Sequence, residues 1–325
     1  MPQPNVRDLA VAGPLQNLSI AYRNRSYVAD RVFPMVENVP GDAKIGRFLK
    51  GAWFRDEAGM RGPGARAVRG GYPMDMLDVS LSEYAFAKEV TDEDRRMSRL
   101  ANTPALSPDQ DAIEFCADKI DLRKERLVAA AVLAGTWSGL AGEDAEGGWA
   151  AGEGNTFITD VETRIETIRA NSGIRPNVLL ICASTLGQVK QESTLLDRIK
   201  YTERGVVTPD LIASLFGLDE VLVGDAIYST AAEAADGSDF SGANVWEKNA
   251  GKGSAFLFHR PERPGLKVPA SGVQCRGAYE DAQARRVSRW REAAEHQDVY
   301  EVAEQVDIVV TGPDLGFLWY DTVAT

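Results

Sequence analysis

The segment "LKGAWFRDEAGMRGPGARAVRGGYP", Leu49–Pro73, holds six glycines, two prolines, four arginines and one lysine against two acids, Asp56 and Glu57. So little apolar surface cannot by itself offset the entropy lost when such a chain is ordered. Yet Trp53 and Phe54 are too apolar for a plain solvent linker, and both flanks carry the patterns of folded chain. The segment therefore reads as a long, basic, glycine-jointed arm whose ordering needs a surface beyond its own.

Charge is blocked around the arm. Lys44 to Arg69 contains seven basic residues and two acids, whereas Asp75 to Asp94 contains seven acids and one lysine. The acidic block coincides with "MLDVSLSEYAFAKEV", where Leu77, Val79 and Leu81 alternate, then Tyr84 and Phe86 after a slip of one. That is the period of a half-buried strand with a bulge near Glu83. The arm is thus expected to be a β-hairpin excursion with an ordered return strand.

Beyond it, "SPDQ" predicts a helix from Ser107, with Ser107 as N-cap, Pro108 in the first position and Gln110 as the reciprocal cap. Asp109 and Asp111 suit the positive end of its dipole. Ile113, Cys116, Ile120, Leu127 and Ala131 recur at helical spacing, Gly135 ends the run, and "DKIDLRKER" reads as an exposed charged belt. A glycine-rich connector leads into alternating helices and strands. "FITDVETRIETIRANSG" and "TPDLIASLFGL" read as helices, the second capped by Thr208, while "NVLLICA", "EVLVGDAIY" and "GSAFLFHR" read as strands. This is an α/β unit over about 175–270, followed by β-structure in "RRVSRWREA", "YEVAEQVDIVV" and "LGFLWYDTVA".

Several function classes lose support here. Of 325 residues only two are histidines, His259 and His296, and neither has metal-ligand neighbours. "NAGKGSAF" lacks the glycine spacing of a phosphate loop, and "GTWSGLAG" is not a nucleophile elbow. No catalytic constellation, cofactor motif or metal site is expected. Cys116, Cys182 and Cys275 are too scattered for a disulfide framework and read as buried thiols. A net charge of −12 argues against tight wrapping of nucleic acid, and no apolar run is long enough to span a bilayer. The N-terminus lacks a signal peptide's pattern, so folding in a cytoplasm is expected.

The order of parts resembles the major capsid proteins of tailed bacteriophages, which have the Hong Kong 97 fold. The resemblance is carried by "VADRVFP" (28–34), "GAWFRDEAGMRGPG" (51–64), "EYAFAKEVTDE" (83–93), "VLVGDAIY" (221–228) and "VDIVVTGPDLGFLWYDTV" (306–323). It implies an α+β fold with an N-arm (1–45) and an extended β-hairpin E-loop (46–90). A P-domain (91–175) with a spine helix (108–134) and an antiparallel sheet follows, then an α/β A-domain (176–270) and a return to the P-domain sheet (271–325). It further implies a non-enzymatic virion protein, self-assembling into hexamers and pentamers of an icosahedral shell around double-stranded DNA in the host cytoplasm. Partners would be copies of itself, a portal protein, and separate scaffolding or cement proteins, since no long N-terminal scaffolding segment is evident. Leu49–Pro73 would be the E-loop, folding against a neighbouring subunit. Arg55, Arg61, Arg66 and Arg69 would face acids there, with Trp53 and Phe54 as anchors; Asp75, Asp78, Glu83, Asp118 and Asp121 are the candidate acceptors. Two alternatives stay open: an encapsulin-type compartment of the same fold, and a soluble α/β enzyme with its substrate near 175–270.

Overall fold

The computed structural model describes residues 24, 26–100, 107–152, 154–192, 195–196, 207–232, 240–265, 267–279 and 285–323. Of the expected N-arm, residues 1–23 and 25 fall outside them. In chain order the strands are β1 (Met35–Val39), β2 (Asp42–Phe48), β3 (Met74–Ser80), β4 (Ser82–Thr91), β5 (Glu143–Asp144), β6 (Val178–Cys182), β7 (Glu220–Gly224) and β8 (Ile227–Ser229). They continue with β9 (Gly242–Asn244), β10 (Ser254–Phe258), β11 (Val273–Gly277), β12 (Arg285–Glu292), β13 (Gln297–Val309) and β14 (Gly316–Tyr320).

Two five-stranded sheets organise the chain. In the first, β13 is central: it pairs antiparallel with β4, β12 and β11, and β1 joins β11 in parallel. The second runs β5-β14-β10-β6-β7. Its strands β6 and β10 are buried at every position, as mostly apolar runs covered on both faces should be.

The long helix Pro108–Ala134 spans both sheets. Its first half covers the first sheet, where Ala112 packs with Val90 and Tyr300, and Cys116 and Ile120 pack with Val302. Its second half covers the second sheet, with Val128, Ala129 and Val132 against Val178, Leu180, Phe256 and Phe258. The opposite face of that sheet holds another core, in which helix Phe157–Ser172 contributes Val161, Ile165 and Ile168.

The observed structure departs from the sequence expectations at several places. Ser107 makes no side-chain cap bond; its carbonyl accepts the first helical bond from Asp111 N–H at 2.9 Å. The first turn is tied sideways instead, Arg95 donating to Asp109 at 2.7 Å and to Asp298 at 2.5 Å. Gly135 is extended rather than left-handed, and a Cβ there would come within 2.7 Å of both the Ala131 carbonyl oxygen and the Trp137 indole nitrogen. The glycine admits Trp137, whose indole N–H caps Val132 C=O at 2.8 Å. Thr208 does cap its helix, accepting from Leu211 N–H, and Gly217 closes it in the left-handed region.

The bulge expected near Glu83 is a break at Leu81, where the chain leaves β3 in the hairpin for β4 in the first sheet. Residues 82–90 therefore belong to that sheet and not to the loop. The connector carries Trp137 and Trp149, both fully buried, and β5 pairs with β14. Helix Phe157–Ser172 packs on the second sheet rather than with the first. The final strand, β14, also lies in the second sheet, between β5 and β10, so 271–325 does not return as a whole to the first. "EVLVGDAIY" splits into β7 and β8, the latter pairing with β9. The three cysteines are free and buried.

Within the charged belt, Lys124 and Glu125 are buried. Lys124 reaches Asp30 at 3.0 Å. Glu125 accepts from Val28 N–H at 3.0 Å, Ala29 N–H at 2.8 Å and the Trp246 indole N–H at 2.6 Å. One carboxylate thus joins the short helix Ala29–Val32, the long helix and the second sheet's flank. Glu125→Ala should cost about 3 kcal/mol or more in urea unfolding, since it orphans three buried donors. Glu125→Gln, which keeps one acceptor, should cost less.

Burial pushes the Glu125 carboxyl above the ordinary glutamate range despite its donors. The folded chain then holds the proton more tightly than the unfolded one. Its contribution to stability is complete below the ordinary glutamate value and falls as pH rises through the folded value. Stability measured against pH should be flatter in Glu125→Gln over that window.

Candidate intersubunit site

β2 and β3 pair in register from Asp42 opposite Ser80 to Phe48 opposite Met74, so Leu49–Pro73 is the excursion of a β-hairpin. The hairpin's base is anchored: Ile45, Leu77 and Val79 turn inward against Val273, Cys275 and Val309 of the first sheet. From Phe54 to Pro73 every residue is exposed.

The loop's aromatic residues gather at its root. Trp53, at the end of the turn of helix Lys50–Trp53, meets Phe48 edge-on at 5.9 Å, and Tyr72 lies 5.5 Å from Phe48 and 5.7 Å from Trp53. The Lys267 ammonium lies over Phe48 and Trp53, and Lys50 pairs with Asp314 at 2.7 Å. Phe54 lies over Gly173, where a Cβ would come within 2.8 Å of its ring. Trp53 still exposes 55% of its surface and Phe54 67%. Both expected anchors therefore stand at the root, half-covered by their own chain, with apolar surface left over.

Toward the tip, Arg55 pairs with Glu57 at 3.0 Å. Arg61 donates from Nε to the Ala65 carbonyl at 2.6 Å, across a turn with Gly64 in the left-handed region (φ 78°). Arg61, Arg66 and Arg69 make no ion pair among the described residues.

The expected acceptors are placed differently. Arg47 pairs with Asp75 at 2.5 Å, and Lys44 with Asp78 at 2.9 Å, both directly across the hairpin. The adjacent blocks of opposite charge are thus partly a property of one hairpin. Glu83 accepts from Arg286 at 3.0 Å and from the Tyr279 hydroxyl at 3.2 Å. Asp121 accepts from Arg285 at 2.5 Å, and Asp118 lies half-buried on the long helix. Among the described residues the tip arginines form no ion pair with any of these five acids.

Glu125 is the residue that sequence reasoning missed. The apolar positions Ala112, Cys116, Ile120, Val128 and Val132 step by four or by eight, and position 124 completes the series. A charged pair continuing an apolar stripe was the available signal.

Among the described residues, no group of three or more His, Cys, Asp and Glu side chains could hold a metal, and no helix is long and apolar enough to cross a membrane.

No protein-family model matches the chain. A relative of known identity does: the major capsid protein of Burkholderia phage BcepMu is 30% identical over 241 residues, covering 71% of this chain and 73% of that one. The chain belongs to the phage major capsid protein family. Its fold agrees. A phage-related protein from Bordetella bronchiseptica RB50 superposes with a TM-score of 0.66 at 19% identity, covering 94% and 95% of the two chains. The capsid of cyanophage P-SCSP1u gives 0.62 at 13%, covering 93% and 90%. An encapsulin from Synechococcus elongatus PCC 7942 shares the fold at 0.51 and 12% identity, covering 99% and 97%. This is the Hong Kong 97-type capsid fold. The long helix is its spine helix and the β2–β3 hairpin its E-loop. The capsid protein is a structural subunit of an icosahedral phage shell, not an enzyme, and its place is the virion.

Proposed function

We propose that this capsid protein closes its shell, as hexamers and pentamers around double-stranded DNA, by laying the E-loop on a neighbouring subunit. The observation that carries this is the loop itself. Twenty consecutive exposed residues hang from an anchored hairpin, and three of their arginines have no ion pair within the described chain. An arm of this composition is ordered by contacts outside its own chain. Trp53 and Phe54 supply apolar anchors at the root, and Arg55, Arg61, Arg66 and Arg69 supply charge toward the tip.

The acids available next door are those named from the sequence: Asp75, Asp78, Glu83, Asp118 and Asp121. Asp78 is the least committed, because its side chain is 79% exposed and its pair with Lys44 is a solvated one. Such pairs are worth about 0–1 kcal/mol and exchange partners at little cost. A portal protein, with separate scaffolding or cement proteins, completes the set of partners this role requires. The sequence relative, a phage capsid protein, favours an enclosed genome over the enzyme cargo of an encapsulin. Purified protein should run as particles of megadalton mass in size-exclusion chromatography and show shells by negative stain. A stable monomer under all assembly conditions overturns the reading.

A further inference from the structure

A second basic surface lies away from the loop. β4 and the outer side of the spine helix enclose an open groove of about 440 Å³, whose lining includes Tyr84, Phe86, Lys119, Arg123 and Arg126. Lys119, Arg123 and Arg126 recur at spacings of four and three residues, so they share one face of the helix with Phe115. Each cation rests on a ring: Lys119 lies 5.2 Å from the centre of Phe115, Arg123 5.1 Å from Tyr84 and Arg126 4.3 Å from Tyr228. Lys88, on β4, also lies 5.3 Å from the centre of Phe115. Rings fix these charges without neutralising them. None of the four makes an ion pair among the described residues. Of the acids nearby, Glu83 on the groove wall is held by Arg286 and Tyr279. Asp121 is paired with Arg285, Glu114 and Asp118 have contacts of their own, and Asp111 forms no ion pair with Lys88.

We infer that this groove is a contact for the phosphate backbone of the enclosed DNA. A subunit with net charge −12 keeps four cations here without carboxylate partners among the described residues, and a polyanion is their chemical complement. The geometry agrees. Lys119 to Arg126 spans about 10 Å of helix, at 1.5 Å per residue. One DNA strand carries a phosphate about every 3.4 Å of its axis, so about three phosphates face three cations. A contact made to phosphates carries no base information, so binding is independent of sequence. Because the rest of the chain is acidic, it is weak and sensitive to salt.

The inference rests on the shell reading, and the test scores the two separately. Unassembled full-length chain is titrated onto a short fluorescent duplex of random sequence between about 50 and 200 mM salt, while particles are counted by negative stain. Lys119→Gln/Arg123→Gln/Arg126→Gln should weaken binding at least about tenfold at the low-salt end. It should also lower the slope of log affinity against log salt by about 3, near one per lost phosphate contact. Particle formation should persist. Arg123→Lys/Arg126→Lys should keep the slope, and so should Arg61→Gln/Arg66→Gln/Arg69→Gln on the loop. If the triple groove variant unfolds by circular dichroism, single Lys88→Gln and Lys119→Gln variants should each lower the slope by about 1. Unchanged slopes in the groove variants, or no binding by the parent chain at low salt, overturn the inference. So does a groove variant that binds DNA normally but forms no particles, since the groove is then covered by a second copy of the chain. Absence of particles from the parent chain, with the groove slopes as expected, would count against the shell reading alone.

Discussion

Replacing Arg61, Arg66 and Arg69 together by glutamate should leave a soluble, folded subunit that no longer closes shells. All three side chains are exposed, and Arg66 and Arg69 contact no described residue through an ion pair or hydrogen bond, so the isolated fold loses almost nothing. Its circular-dichroism melt should be unchanged. Assembly should be lost because the substitution reverses three charges at every copy of a repeated contact. Pairs worth about 0–1 kcal/mol each become decisive when they act together over a whole shell. Asp78→Lys in the triple-glutamate background should restore part of the assembly, with Asp75→Lys next, since both acids lie on the exposed hairpin stem. The single Asp78→Lys change also sets Lys44 opposite a like charge, so its effect on the melt is the necessary control. Normal particles from the triple variant at physiological salt would sink the loop assignment. Outright unfolding would do the same, by showing that the loop belongs to its own subunit's core.

The second large effect lies in the spine helix. Ile120→Pro should abolish particles and cut soluble expression sharply. Proline removes a helical hydrogen bond and clashes with the preceding turn, at a cost of about 3 kcal/mol or more. The side chain at position 120 is also part of the core, because Ile120 is buried against Val302 and Cys116 under the first sheet. A kink there swings one half of the helix off its sheet while the other half stays packed. Ile120→Ala, which leaves the backbone intact, should cost about 2–5 kcal/mol through its cavity alone and still give some particles. Equal behaviour of the two variants in a urea titration would show that the strut's continuity is not what matters. Particles of normal yield from Ile120→Pro would refute a continuous strut.

Local chemistry makes much of this protein legible in its sequence. Helix Pro108–Ala134 follows from an apolar period and a proline at its start, and helix Pro209–Phe216 from Thr208 and Gly217. The buried strands β6 and β10 follow from short, mostly apolar runs, and the exposed arm from glycine, proline and arginine between patterned flanks. These are short-range properties: a cap, a period or a turn is decided by residues within a few positions of one another. The tip arginines are equally legible as candidates, because nothing near them in sequence could bury them.

Tertiary structure alone decided where the parts went. Sequence period did not say that β3 and β4 join different sheets at Leu81, or that β14 lies beside β10, about sixty residues earlier, because strand partners are chosen by long-range packing. Nor could it assign Asp75 and Asp78 to Arg47 and Lys44, since a hairpin's register is set by its folded stem. Glu125 shows the reason most directly. On the helix it is one charge in a charged run; it is a junction only because Val28, Ala29 and Trp246, distant in sequence, bring three N–H donors to it in a site closed to water. A buried polar group is defined by what surrounds it, and that is settled only when the chain has closed around it.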